Sequence, residues 1–190
     1  MKKFVRAVGI DDAPFKFNQK KTNIFFTVMR APNYIEGFMR TEVEVDGKDA
    51  TEKILNCLTT SRFFEQLDVI FIDGSNVAGF NVVDIEKVFT VTKIPVITIT
   101  REEPDREAIE KTLRAKFVDW EERLAILQKI KLRQMKGVKK PIYVGIVGLE
   151  PGDAEILIRR FTVLGSLPEP LRISHMLGSL LEFGESKRGR

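Results

Sequence analysis

Two aspartates, Asp11 and Asp73, stand at the ends of segments whose composition is typical of β-strands. Asp11 follows the alternating segment Phe4–Ile10, and Asp73 closes the apolar segment Asp68–Asp73. If these strands are neighbours, both carboxylates emerge at one edge of the sheet, where α/β proteins usually place their sites. Such carboxylates repel each other, and Mg²⁺ or Mn²⁺ would neutralise them, bind a scissile phosphate and activate water. The alternative is that both only begin turns, since Asp is a common turn residue.

Three further side chains have the chemistry to join such a site. Glu52 lies at the start of the first predicted helix, although Asp49 and Glu52 also match the spacing of a capping box. His175, the only histidine, lies near the start of the last helix and could ligate a metal or carry a proton. A lone histidine on a helix is more often structural. Arg172 could contact a phosphate or pair with Glu169.

The elements that must position these residues follow from the hydrophobic pattern. The first third predicts three strands, at 4–10, 23–30 and 34–45, joined by short turns into an antiparallel meander. Further strands are predicted at 68–73, 95–100 and 142–147, and helices at 52–67, 82–90, 105–117, 120–134, 153–164 and 171–183. This alternation predicts parallel strands with helical crossovers. We therefore predict one α/β domain over 1–190 on the ribonuclease H-like plan, with a mixed five- or six-stranded sheet (antiparallel meander plus parallel strands) flanked by helices.

Composition limits the class of protein. The 190 residues are 43% hydrophobic and 31% charged, which is typical of a globular domain. The single cysteine, Cys57, excludes an internal disulfide and a cysteine-based zinc site. No apolar run reaches the roughly 18 residues that span a membrane. We expect a cytoplasmic protein with no membrane association, and nothing in the sequence predicts a protein partner.

The charge gives weak support for a nucleic-acid partner. The formal net charge is +4, from 31 Lys and Arg against 27 Asp and Glu. Basic residues cluster at 16–21, 129–140 and 187–190. Each cluster is as readily explained by a solvated surface.

Three motifs, taken together, resemble endonuclease V. They are Gly-Ile-Asp-Asp at 9–12, Ile-Asp-Gly at 72–74 and Leu-Pro-Glu-Pro-Leu-Arg-Ile-Ser-His at 167–175. The segments 45–51 and 78–81 are similar to those of archaeal endonuclease V-related proteins grouped as domain-of-unknown-function family 99. The resemblance covers essentially the whole chain. It implies the same fold and a site at the ends of the first and fourth strands.

The resemblance also implies roles for particular residues. Endonuclease V enzymes cut near deaminated purines, chiefly inosine, with Mg²⁺ or Mn²⁺. The positions that match their catalytic and metal-binding residues are Asp11, Glu52, Asp73 and His175. Asp46 or Asp49 could replace Glu52 as the third carboxylate if the preceding loop is aligned differently.

Two departures from the enzymes put their inosine specificity in doubt. A lysine that follows their fifth strand is absent, and Arg101 is the residue here that could contact phosphate instead. Their strand-opening Tyr-Ile-Pro-Gly wedge has a similar sequence here, Tyr-Ile-Glu-Gly at 34–37, but it lies too far before Glu52 to be equivalent.

Three functions are compatible with these residues. The first is a metal-dependent nuclease acting on DNA or RNA; the second is a nucleic-acid-binding or regulatory protein with a vestigial site; the third is a small-nucleotide hydrolase. For an active site we expect the Asp11 and Asp73 carboxylates to lie within about 6 Å. We also expect the His175 ring to face them, Asp49 to cap the first helix, and Glu52 or a neighbouring acid to point into the cleft.

Overall fold

A seven-stranded mixed sheet forms the centre of the molecule. In the computed structural model, residues 5–16, 18–136 and 140–186 are described. The strands are β1 (Arg6–Asp12), β2 (Lys21–Arg30), β3 (Tyr34–Glu44), β4 (Val69–Asp73), β5 (Asn76–Val77), β6 (Asn81–Val82), β7 (Val96–Thr100), β8 (Arg133–Met135) and β9 (Ile142–Val147). The helices are α1 (Ala50–Thr59), α2 (Ile85–Thr92), α3 (Arg106–Lys116), α4 (Trp120–Lys129), α5 (Pro151–Phe161) and α6 (Glu169–Phe183), with a 3-10 turn at Phe64–Gln66.

The strand order in the large sheet is β3-β2-β1-β4-β7-β9-β8, and β5 pairs only with β6. The antiparallel meander β1–β2–β3 and the parallel trio β1, β4 and β7 are as predicted. The predicted count of five or six strands is wrong, because β8 adds a strand where the helix 120–134 was expected to continue. The helix ends at Lys129, and Ile130 is already extended and buried.

The direction of β9 also differs from the prediction of a parallel strand. It pairs antiparallel with both β7 and β8. The physical reason is the short connection between β8 and β9, since a parallel pair needs a long crossover. The crossover through α3 and α4 therefore runs from β7 to β8, and β9 returns between them.

Both faces of the sheet are buried. Ile70 and Ile72 of β4 belong to one core cluster, while Val69 and Phe71 belong to the cluster on the other face. Coverage of both faces explains why the segment before Asp73 is almost continuously apolar. On the second face, the Phe71 ring packs edge-on against Phe161 of α5, with 5.8 Å between ring centroids. Within the described ranges, no helix combines the length and apolar character that a membrane crossing requires.

Helix α6 lies unusually close to β1, and small residues permit this. A Cβ added to Gly9 would stand 2.2 Å from the Pro170 carbonyl carbon, and one added to Gly178 would stand 2.8 Å from Ala13 Cα. Between these points, the buried Ser174 hydroxyl donates to the Gly9 carbonyl oxygen at 2.9 Å. The helix is thus fixed over the end of β1, and the next residue is His175.

Candidate active site

The register of the sheet brings Asp11 and Asp73 to the same edge. Ile10 of β1 is paired with Ile72 of β4 in the parallel ladder, so the following residue of each strand is an aspartate at the carboxyl end. Asp11 is almost completely buried, with 5% of its surface exposed. Its two carboxylate oxygens are both used: Oδ1 accepts the Asp12 backbone N–H at 2.9 Å, and Oδ2 lies 3.0 Å from His175 Nδ1. The structure therefore assembles Asp11, Asp73 and His175, three residues singled out from the sequence.

Burial makes these carboxylates costly to ionise. It is the main cause that raises the pKa of Asp11, and the negative charges of Asp73 and Asp12 add to it. Burial likewise raises the pKa of Asp73, against the opposing positive charges of Arg101 and His175. The hydrogen bond with Asp11 raises the pKa of His175 above its ordinary value. The Asp11–His175 pair thus retains a proton into the neutral pH range.

Asp12 is a further acid near Asp11 and Asp73 that the sequence analysis did not select. Its Oδ2 accepts the backbone N–H of Ala78, in the turn between β5 and β6. Burial raises the pKa of Asp12 to about 6, and the charge of Asp73 contributes, whereas the Ala78 N–H opposes the shift. Asp12 is thus close enough to interact electrostatically with Asp73 and His175, which together with Asp11 form the acidic cluster. The sequence feature that could have indicated Asp12 is that it is an acid directly after Asp11.

Glu52 is not brought to this cluster, contrary to expectation. Its side chain is 66% exposed and forms an ion pair with Lys87 of α2. The cavity that it lines is bordered by Lys48, Asp84 and Glu122, not by Asp11 or Asp73. Among the described residues, no three His, Cys, Asp or Glu side chains form a ready-made metal-binding group.

The two other candidates for the third carboxylate also have different partners. Asp46 Oδ1 accepts the Phe80 backbone N–H at 2.8 Å. Asp49 Oδ1 accepts the Asn81 side-chain amide at 2.7 Å. The prediction that Asp49 caps α1 with its side chain is wrong: Asn81 Oδ1 accepts the Ala50 N–H instead, at 2.9 Å. These aspartates organise the turn before α1.

The two candidate arginines have different surroundings. Arg101 lines a cleft of about 840 Å³ together with Asp73, His175, Ser179 and Phe183. Arg172 donates two N–H groups to one Glu169 oxygen, at 2.8 and 2.6 Å. Of its two predicted roles, Arg172 therefore has the one in which it pairs with Glu169. Arg101 is therefore the better placed of the two to contact a bound phosphate.

A second cavity, of about 290 Å³, adjoins the cleft and shares Thr100 and Pro104 with it. Gly74, Ser75 and Asn76 line this cavity, directly after Asp73 in the chain. Apolar side chains of α3 and α4 also line it, namely Ile109, Leu124 and Leu127. Apolar walls with a few polar groups are typical of small-molecule binding cavities.

The family model for endonuclease dU matches residues 3–182. The chain belongs to the endonuclease dU family. It is 38% identical to a UPF0215 protein of Methanothermobacter thermautotrophicus over 188 residues, which cover 98% of this chain and 92% of that one. It is also 38% identical to a UPF0215 protein of Archaeoglobus fulgidus, with 98% of both chains covered. The resemblance to an archaeal endonuclease V-related family is confirmed.

Solved structures confirm the ribonuclease H-like fold of this family member. A protein of unknown function from Archaeoglobus fulgidus superposes with a TM-score of 0.84 at 36% identity, covering 93% of this chain and 98% of that one. Endonuclease V of Ciona intestinalis, in complex with inosine-containing DNA, gives a TM-score of 0.60 at 14% identity, covering 90% and 83%. Argonaute of Marinitoga piezophila gives 0.53 at 13% identity, covering 97% of this chain and 31% of that one.

Other parts of this endonuclease dU family chain lie away from the cluster. Tyr34 starts β3, beside Arg30 and Arg6, at the sheet edge opposite Asp11. This placement agrees with the view that 34–37 is not a strand-opening wedge.

Of the basic clusters, 187–190 lies outside the described residues. Lys21, in the first cluster, pairs with Glu42 at 2.9 Å.

Proposed function

We propose that the chain is a Mg²⁺- or Mn²⁺-dependent endonuclease that hydrolyses phosphodiester bonds in DNA or RNA. The observation that supports this most is the pairing of the buried Asp11 with the half-buried Asp73 at one sheet edge, with His175 hydrogen-bonded to Asp11. The name of the family makes deoxyuridine in DNA the first substrate to test. The endonuclease V and Argonaute neighbours, both solved with nucleic acid, agree with a nucleic-acid partner.

The donor set fits a hard divalent cation. Asp11 and Asp73 supply carboxylate oxygens. Burial raises the pKa of both carboxyls, the negative charge of Asp73 raises the pKa of Asp11 further, and a bound cation would offset these costs. His175, beside Asp11, would complete the set or hold a proton. When bound, such a cation would polarise the phosphate and lower the pKa of the attacking water.

The chain's own groups have defined tasks in this reaction. Asp11 orients His175 through Nδ1, so the other ring nitrogen, Nε2, would give a proton to, or take one from, a group in the cleft. Arg101, in the wall of the same cleft, would orient the phosphate. The smaller cavity after Asp73 would receive a base turned out of its stack, since enzymes that select a base commonly extrude it.

The test is Asp73→Asn, with DNA and RNA panels that contain deoxyuridine, inosine or neither. Asparagine keeps the size of aspartate but removes the charge that would hold the cation. We expect wild-type cleavage with Mn²⁺ or Mg²⁺, and a loss of about a hundredfold or more in the variant. Asp153→Asn, on the exposed side of α5, is the matched control and should cleave like the wild type.

A second function is favoured by the position of Glu52. Because Lys87 holds this carboxylate outside the cluster, the site has fewer converging acids than the endonuclease V resemblance implied. A nucleic-acid-binding or regulatory protein with a vestigial site would bind without cleaving. Binding that weakens with salt, combined with no cleavage in any wild-type reaction, would replace the nuclease proposal with this one.

A further inference from the structure

The turn between β5 and β6 has a conformation that must be held by its surroundings. Ala78 has φ +48° and Gly79 has φ +85°, so two consecutive residues lie in the left-handed region. Glycine adopts that region readily, but alanine does so at a cost. A non-glycine residue in this conformation persists only where other contacts stabilise it.

Two aspartates from separate parts of the chain provide those contacts. Asp12, at the end of β1, accepts the Ala78 N–H. On the other side, the Asp46 N–H donates to the Ala78 carbonyl oxygen at 2.8 Å, and Asp46 Oδ1 accepts the Phe80 N–H at 2.8 Å. The Ala78 peptide groups are thus bound from both sides, by β1 and by the turn that precedes α1.

The same turn shapes the cavity beside Asp73. Asn76, which lines that cavity, donates its side-chain amide to the Gly79 carbonyl oxygen. A shift of the Ala78–Gly79 turn would therefore move Asn76. Asp12 adjoins Asp11 in the chain, so a single carboxylate connects the acidic cluster with the wall of the cavity.

We propose that Asp12 is a positioning residue that fixes the Ala78–Gly79 turn, and through it Asn76 and the substrate cavity, and that it is not a ligand of the cation. The proposal rests on the proposed function, in which that cavity receives the substrate base. Its central claim concerns the backbone of the turn and does not require that the protein be an active nuclease.

Two variants separate the roles of acceptor and charge. Asp12→Asn keeps an oxygen that can accept the Ala78 N–H, whereas Asp12→Ala removes it. By amide hydrogen exchange in the full chain without metal, we expect Ala78 to lose protection at least about tenfold in Asp12→Ala and to keep it in Asp12→Asn. Asp84→Ala is the control: it removes an aspartate that accepts the Lys87 N–H at the start of α2, and it should leave Ala78 protection unchanged. Unchanged Ala78 protection in Asp12→Ala would overturn the proposal.

Calorimetric titration with Mn²⁺ alone tests the second half of the claim. Asp12→Asn should bind Mn²⁺ within about threefold of the wild type, whereas Asp73→Asn should lose binding. A loss in Asp12→Asn as large as that in Asp73→Asn would make Asp12 a ligand and refute the positioning role. Because Asp12→Asn conserves the acceptor, this measurement decides whether Asp12 is a ligand of the cation even if Asp12→Ala does not fold.

Cleavage kinetics then connect the turn with the substrate. For a positioning role through the cavity, Asp12→Ala should raise KM more than it lowers kcat, and Asp12→Asn should restore KM. If the wild type cleaves nothing, the proposed nuclease function fails, while the exchange and Mn²⁺ results still decide the role of Asp12.

Discussion

Asp11 and His175 form a hydrogen-bonded pair at the centre of the candidate site. Asp11 Oδ2 and His175 Nδ1 are 3.0 Å apart, and Asp11 is buried while the His175 side chain is 31% exposed. The buried partner therefore orients the ring, and the exposed one reaches the cleft. A histidine fixed in this way has a defined tautomer and a defined direction of proton transfer. The neighbouring charge of Asp73 stabilises the imidazolium as well.

Replacement of Asp11 should be visible directly in the titration of His175. Asp11→Asn removes the carboxylate whose hydrogen bond and charge raise the pKa of the imidazole, so that pKa should fall. Because His175 is the only histidine, one NMR resonance followed against pH in EDTA measures it. Asp153→Asn should leave the titration unchanged. An unaltered His175 pKa in Asp11→Asn would show that the pair does not form in solution.

At the scale of elements, the site exists because α6 approaches β1 without intervening side chains. Gly9 lies against the first turn of the helix, and Gly178 lies against Ala13. The Ser174 hydroxyl adds polar contacts to the Gly9 carbonyl oxygen and to the Thr27 hydroxyl, at 2.9 and 2.7 Å. The distance between His175 and Asp11 is therefore set by backbone packing over the whole helix.

A methyl group at Gly9 should separate these elements. In Gly9→Ala the new Cβ would overlap the backbone at Pro170, so α6 must shift away from β1. We expect a loss of about 2–4 kcal/mol in the free energy of unfolding, measured with urea, and a His175 pKa closer to its ordinary value. Gly152→Ala in α5 is the matched control, because an added Cβ there meets nothing within 4 Å. Equal stability of the two variants would contradict the close packing of α6.

The sequence predicted some elements well because their patterns are local. The meander and the buried strand before Asp73 follow from alternation and chain order, and so does the placement of Asp11 and Asp73 at strand ends. His175 was selected by the resemblance to endonuclease V and not by a local pattern. Glu52 was a false expectation that spacing could have excluded: the buried face of α1 contains Thr51, Ile54, Leu55 and Leu58, and Glu52 falls outside it. The Asp12–Ala78 contact joins residues 66 positions apart, and no local pattern encodes it.

For the whole molecule, the acidic cluster is a source of instability when no cation is bound. Asp11, Asp12 and Asp73 all have a raised pKa, with burial as the main cause. Ionising these carboxyls therefore costs more free energy in the folded protein than in the unfolded chain. Such a cost is expected where function requires grouped charges. A cation that binds only the folded chain would offset it.

This instability should appear as a specific dependence of stability on pH. The pKa of Asp12 is about 6 in the folded protein against 3.8 ordinarily, so the folded state binds the proton more tightly than the unfolded state. The contribution of Asp12 to stability is therefore present below pH 3.8 and is lost as the pH rises toward 6. In EDTA, Asp12→Asn should match the wild type at low pH. Above neutrality it should have a free energy of unfolding higher by up to about 3 kcal/mol.

Chemical unfolding at a series of pH values, with and without Mn²⁺, measures both effects. Saturation with Mn²⁺ at about 100 times its dissociation constant should stabilise the wild type and Asp12→Asn by about 2.7 kcal/mol. Asp73→Asn should gain little, because it lacks a main oxygen ligand. A difference between Asp12→Asn and the wild type that stays constant from acid to neutral pH would show that Asp12 does not titrate abnormally. Stabilisation of Asp73→Asn by Mn²⁺ equal to that of the wild type would place the cation elsewhere and remove the basis for the nuclease proposal.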